Sequence, residues 1–333
     1  MGAIRMSAMS PEQLGQLKPL LERSRQKPYR FLLSDLPDAP DSLWLSEIAA
    51  FSQGQQGQAF VAMHESETVG LVAYSDLPWD TRVIGTRMGA LKYIVVEPDC
   101  PRQPEVVERL LNQVIDWAIS HGVEFLLCKT YTDDISTIHA LERSGFLLMD
   151  TLLDYVYCGR ADPPHDVFRP PLFEGSTIRL AKEDDVEGLA AVAHASFHHH
   201  FGRFHADERI PKGQAIQVYE EWIRASCKGY ADWILVAAVN GRIAGYSVWK
   251  KPSTLEQSVG MRLGHYSIGV VHPDYHGLGL FSALTRAGME LFDGIADYIE
   301  GPTHVNNYPV QRAYSRLLWR ICDARHSFHK WLR

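Results

Sequence analysis

The sequence predicts an α+β chain in which one domain design occurs twice in tandem, the N-terminal copy degenerate. Three observations predict it. Val95-Val96-Glu97-Pro98-Asp99 and Val270-Val271-His272-Pro273-Asp274 open alike, an apolar β-type run stopped by a proline. A helical pattern follows each, through Val106, Leu110, Leu111, Val114 and Trp117 in the first copy and from Ser282 to Phe292 in the second. Then come strand-like Phe125–Cys128 and Ala296–Ile299, a polar turn, and a last helix ending on an aromatic: Ile135 to Phe146, and Tyr308 to Trp319. Matches in one order at similar spacing indicate a duplicated unit.

The chain has 333 residues, 46% hydrophobic and 22% charged, which suits two folded domains and excludes general disorder. The reading sets a first domain over 1–160, a linker over 161–174 and a second domain over 175–333. Pro163-Pro164 and Pro170-Pro171 stiffen the linker. The second domain opens with a strand at Thr177–Leu180. Asp184-Asp185 then precede a helix with apolar Val186, Leu189, Ala190 and Ala193. A helix from Ala215 to Ala225 follows, then a hairpin of Trp233–Val239 and Ile243–Trp249 about Asn240-Gly241, a dipeptide suited to a tight turn. The first half has a comparable hairpin, Ala59–Met63 with Val69–Ala73. No apolar run is long enough to cross a bilayer, and Met1–Ser10 lacks the apolar core of a signal peptide. Five scattered cysteines form no C-x-x-C, which fits reduced thiols in a cytoplasmic protein and argues against a zinc site. A net charge of -7 without a basic block gives no reason to expect nucleic acid.

The chemistry concentrates in Val270–Phe281. A strand, a loop with Gly277 and Gly279, and a helix N-terminus make an anion cradle, because free backbone N–H groups and the positive helix end face one point. The first copy reads Cys100-Pro101-Arg102-Gln103-Pro104 there. It has no glycine, and each proline removes an N–H. The cofactor site is therefore expected in the C-terminal domain alone.

The pattern V-x-P-x-x-x-G-x-G opening a helix resembles the acetyl-CoA pyrophosphate loop of the GNAT (Gcn5-related) N-acetyltransferases. The resemblance implies two GNAT-like domains with acetyl-CoA as co-substrate. It assigns cofactor contacts to Val270, Val271, His276, Gly277, Leu278, Gly279, Leu280, Phe281, Asn307 and Tyr314. His276 stands where the family usually has arginine or glutamine, and Phe281 where it has glycine or alanine. Tyr314 takes the place of the family's general acid. A phenol with a pKa of ~10 can protonate a thiolate whose thiol has a pKa of ~8.5. Aligning Asp134 with Asn307 puts Leu141 at that position in the first copy. Asn307 and His304 complete the expected catalytic set. His265, Glu300 and His304 are candidates for the base, as is a water relay.

Further segments are similar to the dTDP-4-amino-4,6-dideoxygalactose N-acetyltransferases of enterobacterial surface-polysaccharide synthesis. They are Ala195-Ser196-Phe197, Arg203-Phe204, Tyr219–Ile223 and Gly245-Tyr246, with Leu77–Thr81, Gly85 and Leu141–Phe146 in the first half. That family implies acetyl transfer to the amino group of a nucleotide-linked amino sugar, by direct attack in a ternary complex. The acceptor would bind at Trp79, Asp80, Arg203 and His205. The partner is then a nucleotide sugar, with no nucleic acid polymer, membrane or metal, and a homodimer is compatible with the reading. Two other readings stay open: acyl transfer to another small amine (antibiotic, amino acid or polyketide), and a non-catalytic acyl-CoA sensor. His198-His199-His200 is read as a solvated or pocket-lining loop, because successive helical residues point in different directions. The basic, aromatic C-terminal tail matches nothing in the pattern.

Overall fold

The computed structural model describes residues 4–52, 57–100, 102–198 and 200–333. The chain divides into two compact units, one of Met1–Asp150 with Arg325–Arg333, the other of Thr151–Ala324.

Unit 1 runs β1 (Ile4–Ala8), α1 (Leu14–Arg23), α2 (Ala39–Ser52), β2 (Gly57–His64), β3 (Glu67–Asp76), α3 (Pro78–Ile84), β4 (Met88–Val96), α4 (Gln103–Ser120), β5 (Phe125–Tyr131) and α5 (Ile135–Arg143). Its sheet order is β1-β2-β3-β4-β5, antiparallel except for the parallel pair β4/β5. β2 and β3 carry unbroken buried runs whose successive side chains point to opposite faces, so both faces are covered. Val106, Leu110, Leu111 and Val114 of α4 pack with Phe60, Val72 and Leu91. Leu17, Leu20 and Leu21 of α1 and Trp44 and Ile48 of α2 pack with Val61, Leu71 and Val95.

β6 (Leu147–Cys158) begins at the end of unit 1. From Thr151 onward it belongs to unit 2, pairing antiparallel with β11 (Tyr298–His304). Unit 2 continues with β7 (Ser176–Leu180), α6 (Val186–Phe197), α7 (Arg203–Ala206), α8 (Lys212–Ala225), β8 (Trp233–Val239), β9 (Arg242–Lys250), α9 (Thr254–Ser258), β10 (Leu263–Val271), α10 (Leu280–Glu290), β11 and α11 (Tyr308–Arg316). Its strand order is β6-β11-β10-β9-β8-β7, with β10 and β11 parallel. At the β8–β9 turn Asn240 (φ 48) and Gly241 (φ 79) are both left-handed, as the dipeptide predicts. Leu189, Val192, Ala193 and Ile223 cover one face with Val236, Val248 and Val270. Met289, Tyr314 and Leu317 cover the other with Trp249, Tyr266 and Ile299.

The two compact units are bounded differently from the domains read in the sequence. The unmatched tail is β12 (Arg320–Trp331), and Arg325–Trp331 pairs antiparallel with β5 in unit 1. Each copy's sixth strand thus serves the other copy. The first unit ends at Asp150 rather than at 160. The expected linker over 161–174 lies inside unit 2, where Val167 is buried in the core and its carbonyl accepts from Arg286 Nε at 3.4 Å.

Candidate active site

In unit 2 the site is built on a fork. β10 pairs with β9 from His265 to Val271, and β11 pairs with β6 from Tyr298 to His304. The two share a parallel register only over Leu263–His265 against Tyr298–Glu300. Each strand then follows its other neighbour, so a gap opens past His265 and Glu300. A register shift between Tyr266 and Ile268 sharpens the bend. Unit 1 repeats the design, with β4 and β5 paired over Met88–Leu91 against Phe125–Cys128.

The glycine loop follows β10. Pro273–Tyr275 makes a 3₁₀ turn, Gly277 (φ 82) and Gly279 (φ 75) are left-handed, and Gly279 caps α10. A Cβ on either glycine would meet nothing within 4 Å, so the backbone's handedness, not crowding, requires glycine here. The first helical bond is Ala283 N–H to the Gly279 carbonyl at 3.0 Å. Among the described residues nothing accepts from the N–H groups of Gly277 through Ser282, and the first turn of α10 holds no acid. An open row of amides at a helix N-terminus fits a pyrophosphate. The corresponding place in unit 1 does not. Gln103 N–H is bonded to the Cys100 carbonyl, Pro104 has none, and Glu105 places a carboxylate in the first turn of α4. Pro101 lies outside the described residues.

His276 and Phe281 do not act as a direct reading of the loop expects. The His276 ring folds back, its Nε2–H donating to the Val271 carbonyl at 2.9 Å, while its own N–H is bonded to the Pro273 carbonyl at 3.1 Å. It braces the loop and offers the cradle no donor. The Phe281 ring turns inward, 6.0 Å from the Tyr314 ring and 6.3 Å from Tyr266. Its N–H stays in the open row. Val270 is buried in the core, and the Val271 carbonyl also accepts from Ser196 Oγ at 3.2 Å.

Tyr314 projects from α11 into the fork. Its ring stacks on Trp319 at 4.8 Å and abuts Tyr155 at 5.0 Å. Its hydroxyl lies 3.2 Å from where a Cβ on Gly301 would stand, one residue past the last paired position of β11. Burial holds the phenol well above its ordinary pKa, with Tyr266 and Tyr155 adding to the effect. The hydroxyl therefore keeps its proton at neutral pH, as a general acid must. Asn307 is the N-cap of α11, and its side chain makes no capping bond. Its counterpart Asp134 does cap α5, accepting from Thr137 N–H at 3.2 Å.

Side chains alternate along a strand. Ile299 packs with Tyr314, so Glu300 and His304 face the opposite side of the sheet. There His265 Nδ1 meets Glu300 Oε1 at 2.8 Å, and His265 Nε2 meets Glu256 Oε1 at 2.8 Å. Burial lowers the His265 pKa, but the two carboxylates outweigh it and raise the value to about 9. His265 is thus a cation at neutral pH, which removes it as a base. Glu256 was missed in the sequence. The one local signal, the capping box Ser253-x-x-Glu256, indicates a helix start and carries nothing about a reach to β10. His304 Nδ1 accepts from Asn306 N–H at 3.1 Å, and the exposed Phe201 ring stands edge-on 5.1 Å from His304. His205 lies on α7 beside Tyr219 at 5.8 Å, and burial keeps its pKa below the usual histidine range. Arg203 on the same turn places its guanidinium 4.5 Å over Phe204. Trp79 and Asp80 lie on α3 of unit 1, whereas the other predicted residues belong to unit 2. His199 lies outside the described residues. Among those described, no cluster of His, Cys, Asp or Glu could hold a metal, and no helix is long and apolar enough to cross a membrane.

Residues 20–146 match the model of the acetyltransferase (GNAT) family. A tandem GNAT protein from the clavulanic acid biosynthesis pathway shares the fold at a TM-score of 0.61 and 13% identity, covering 99% of both chains. A GCN5-related N-acetyltransferase from Sphaerobacter thermophilus does so at a TM-score of 0.65 and 15% identity, covering 99% of this chain and 96% of that one. Residues 20–146 thus match the acetyltransferase (GNAT) family, and the whole chain shares the fold of tandem GNAT proteins. A curated relative, the spore coat polysaccharide biosynthesis protein SpsD of Bacillus subtilis (strain 168), is 22% identical over 183 residues. The match covers 54% of this chain and 58% of that protein's length. The family match falls on unit 1, the half whose loop lacks glycine.

Proposed function

We propose that unit 2 transfers an acetyl group from acetyl-CoA to the amino group of a nucleotide-linked amino sugar of the dTDP-4-amino-4,6-dideoxyhexose type, by direct attack in a ternary complex. One observation carries the choice of unit. The amides of Gly277 through Ser282 stand open beside a fork that holds Tyr314, whereas the unit 1 loop has lost its donors and carries Leu141 in the tyrosine's place. The polysaccharide role of the Bacillus relative and the motif resemblance support the acceptor class.

The chain's own groups divide the work. The open amides bind the pyrophosphate. Past the register shift, a β10 amide near Val271 faces the gap and can stabilise charge developing on the thioester oxygen. Acetyl-CoA supplies the activated acetyl group and leaves as a thiol. Tyr314 holds a proton at its hydroxyl and delivers it to the departing sulfur, while the proton lost by the attacking amine passes to Glu300, His304 or a water relay. Asn307 and His304, at and just before the start of α11, border the same end of β11. Within unit 2, Arg203 and His205 remain the proposed acceptor contacts.

The test compares acetylation of dTDP-4-amino-4,6-dideoxygalactose with acetylation of the free 4-amino sugar. Binding energy from the nucleotide would position the amine, so kcat/KM should be far higher for the linked substrate. Equal values would remove the nucleotide from the reading.

A further inference from the structure

A second polar site lies on α11, on a different face from Tyr314. A pocket of about 480 Å³ is lined by Tyr155, Tyr308, Gln311, Arg312, Ser315 and Arg316. That volume lies in the range of small-molecule sites, ~300–1,000 Å³. Residues 308, 312 and 316 follow at intervals of four and so share one helical stripe. Arg312 and Arg316 are like charges one turn apart, an arrangement that destabilises an isolated helix. Neither has a carboxylate partner among the described residues, and no acid lines the pocket. Tyr308 presents an open ring beside them, 58% exposed.

The duplicate helix serves as an internal control. Asp134 and Asn307 are the N-caps of α5 and α11, so the positions correspond one by one. Tyr308 becomes Ile135, Arg312 becomes His139 and Ser315 becomes Glu142. Arg316 becomes Arg143, which Glu108 of α4 neutralises through an ion pair. The same helix position therefore carries a compensated charge in one copy and an uncompensated pair in the other. Packing of the fold does not require the pair.

We infer that this α11 face binds a nucleoside diphosphate, its phosphates on Arg312 and Arg316 and its base on the Tyr308 ring. Guanidinium groups suit phosphate oxygens through paired N–H donors, and a tyrosine face suits a planar base. The choice of a nucleotide rests on the acceptor class proposed above. The site itself rests on the pocket and its charge.

Isothermal titration of the full chain with dTDP, and separately with acetyl-CoA, tests the inference. Wild type should bind dTDP, and the double variant Arg312→Gln, Arg316→Gln should lose at least ~10-fold of that affinity while keeping acetyl-CoA affinity within about twofold. Tyr308→Ala should weaken dTDP but leave inorganic pyrophosphate unchanged. All three side chains are exposed, so the variants should fold as wild type does. Three results would overturn the inference: no dTDP binding by wild type, equal binding by the double variant, or a parallel loss of acetyl-CoA, which would give the pair to the cofactor. The proposed acetyl transfer is judged apart from this. Turnover of the dTDP amino sugar with dTDP affinity untouched in the variant rejects the α11 site alone, and the converse pattern rejects the acceptor reading alone.

Discussion

At the scale of single residues, Tyr314 and Leu318 carry opposite expectations. Tyr314→Phe keeps the ring that stacks on Trp319, so fold and acetyl-CoA affinity should persist. Removing a positioned general acid typically costs ~10²–10⁴-fold in rate. Single-turnover measurement of acetyl transfer reads this directly, and an unchanged rate would make Tyr314 a packing residue. Leu318 has φ 63, where the equivalent turn of unit 1 uses Gly145 at φ 76. A left-handed leucine costs ~1–2 kcal/mol, and Leu318 is 42% exposed. Leu318→Gly should therefore raise stability by about 0.5–1 kcal/mol once the entropy of glycine is subtracted. Thermal melting of the two proteins checks it. His265 supplies a pH dependence. Its folded pKa of about 9 lies above the ordinary 6.5, so its stabilising contribution is complete below about pH 6.5 and is lost as pH rises through about 9. Wild type should lose Tm across that window, and His265→Gln should start lower and stay flatter.

At the scale of elements, the loop between β10 and α10 is the proposed seat of acetyl-CoA. Gly279→Glu sets a carboxylate beside the open amides and imposes a left-handed φ on a residue with a Cβ. It should abolish acetyl-CoA binding, while wild type binds one equivalent per chain. Titration giving two equivalent sites would restore the cradle to unit 1. The sequence carried much of this element. Prolines, glycines and an apolar run are local signals, and they marked the end of β10, the loop, and α10 to within two residues at each end. What it withheld was non-local. That His276 folds onto Val271, or that Glu256 reaches His265, depends on where separate strands and helices meet. No spacing along the chain encodes those distances. Phe281 shows the same limit, since its place in the sequence could not reveal that space beside Tyr314 receives its ring.

For the whole molecule, β12 was the least legible element. Ser327 and His329 are buried on one of its faces and Phe328 on the other, so polar residues stand where a strand inside a sheet usually shows apolar ones. The tail matched nothing in the sequence pattern, yet it pairs with Phe125–Tyr131 at the outer edge of β5. Deleting residues 325–333 should therefore unfold unit 1, at the opposite end of the sequence. Hydrogen exchange should show β4 and β5 losing protection, whereas loss confined to unit 2 would contradict the pairing. The exchange of last strands also orders events on the ribosome. The N-terminal half leaves the exit tunnel first and is completed last, after residues 151–324 have been synthesised, roughly 10–35 s later at ~5–20 residues/s. Throughout that wait β5 has an unpaired edge, and β6, already made, lacks β11. The two orphans sit next to one another in the nascent chain and share α5 as their connection. Translation thus offers a premature hairpin-like pairing that the finished protein must give up.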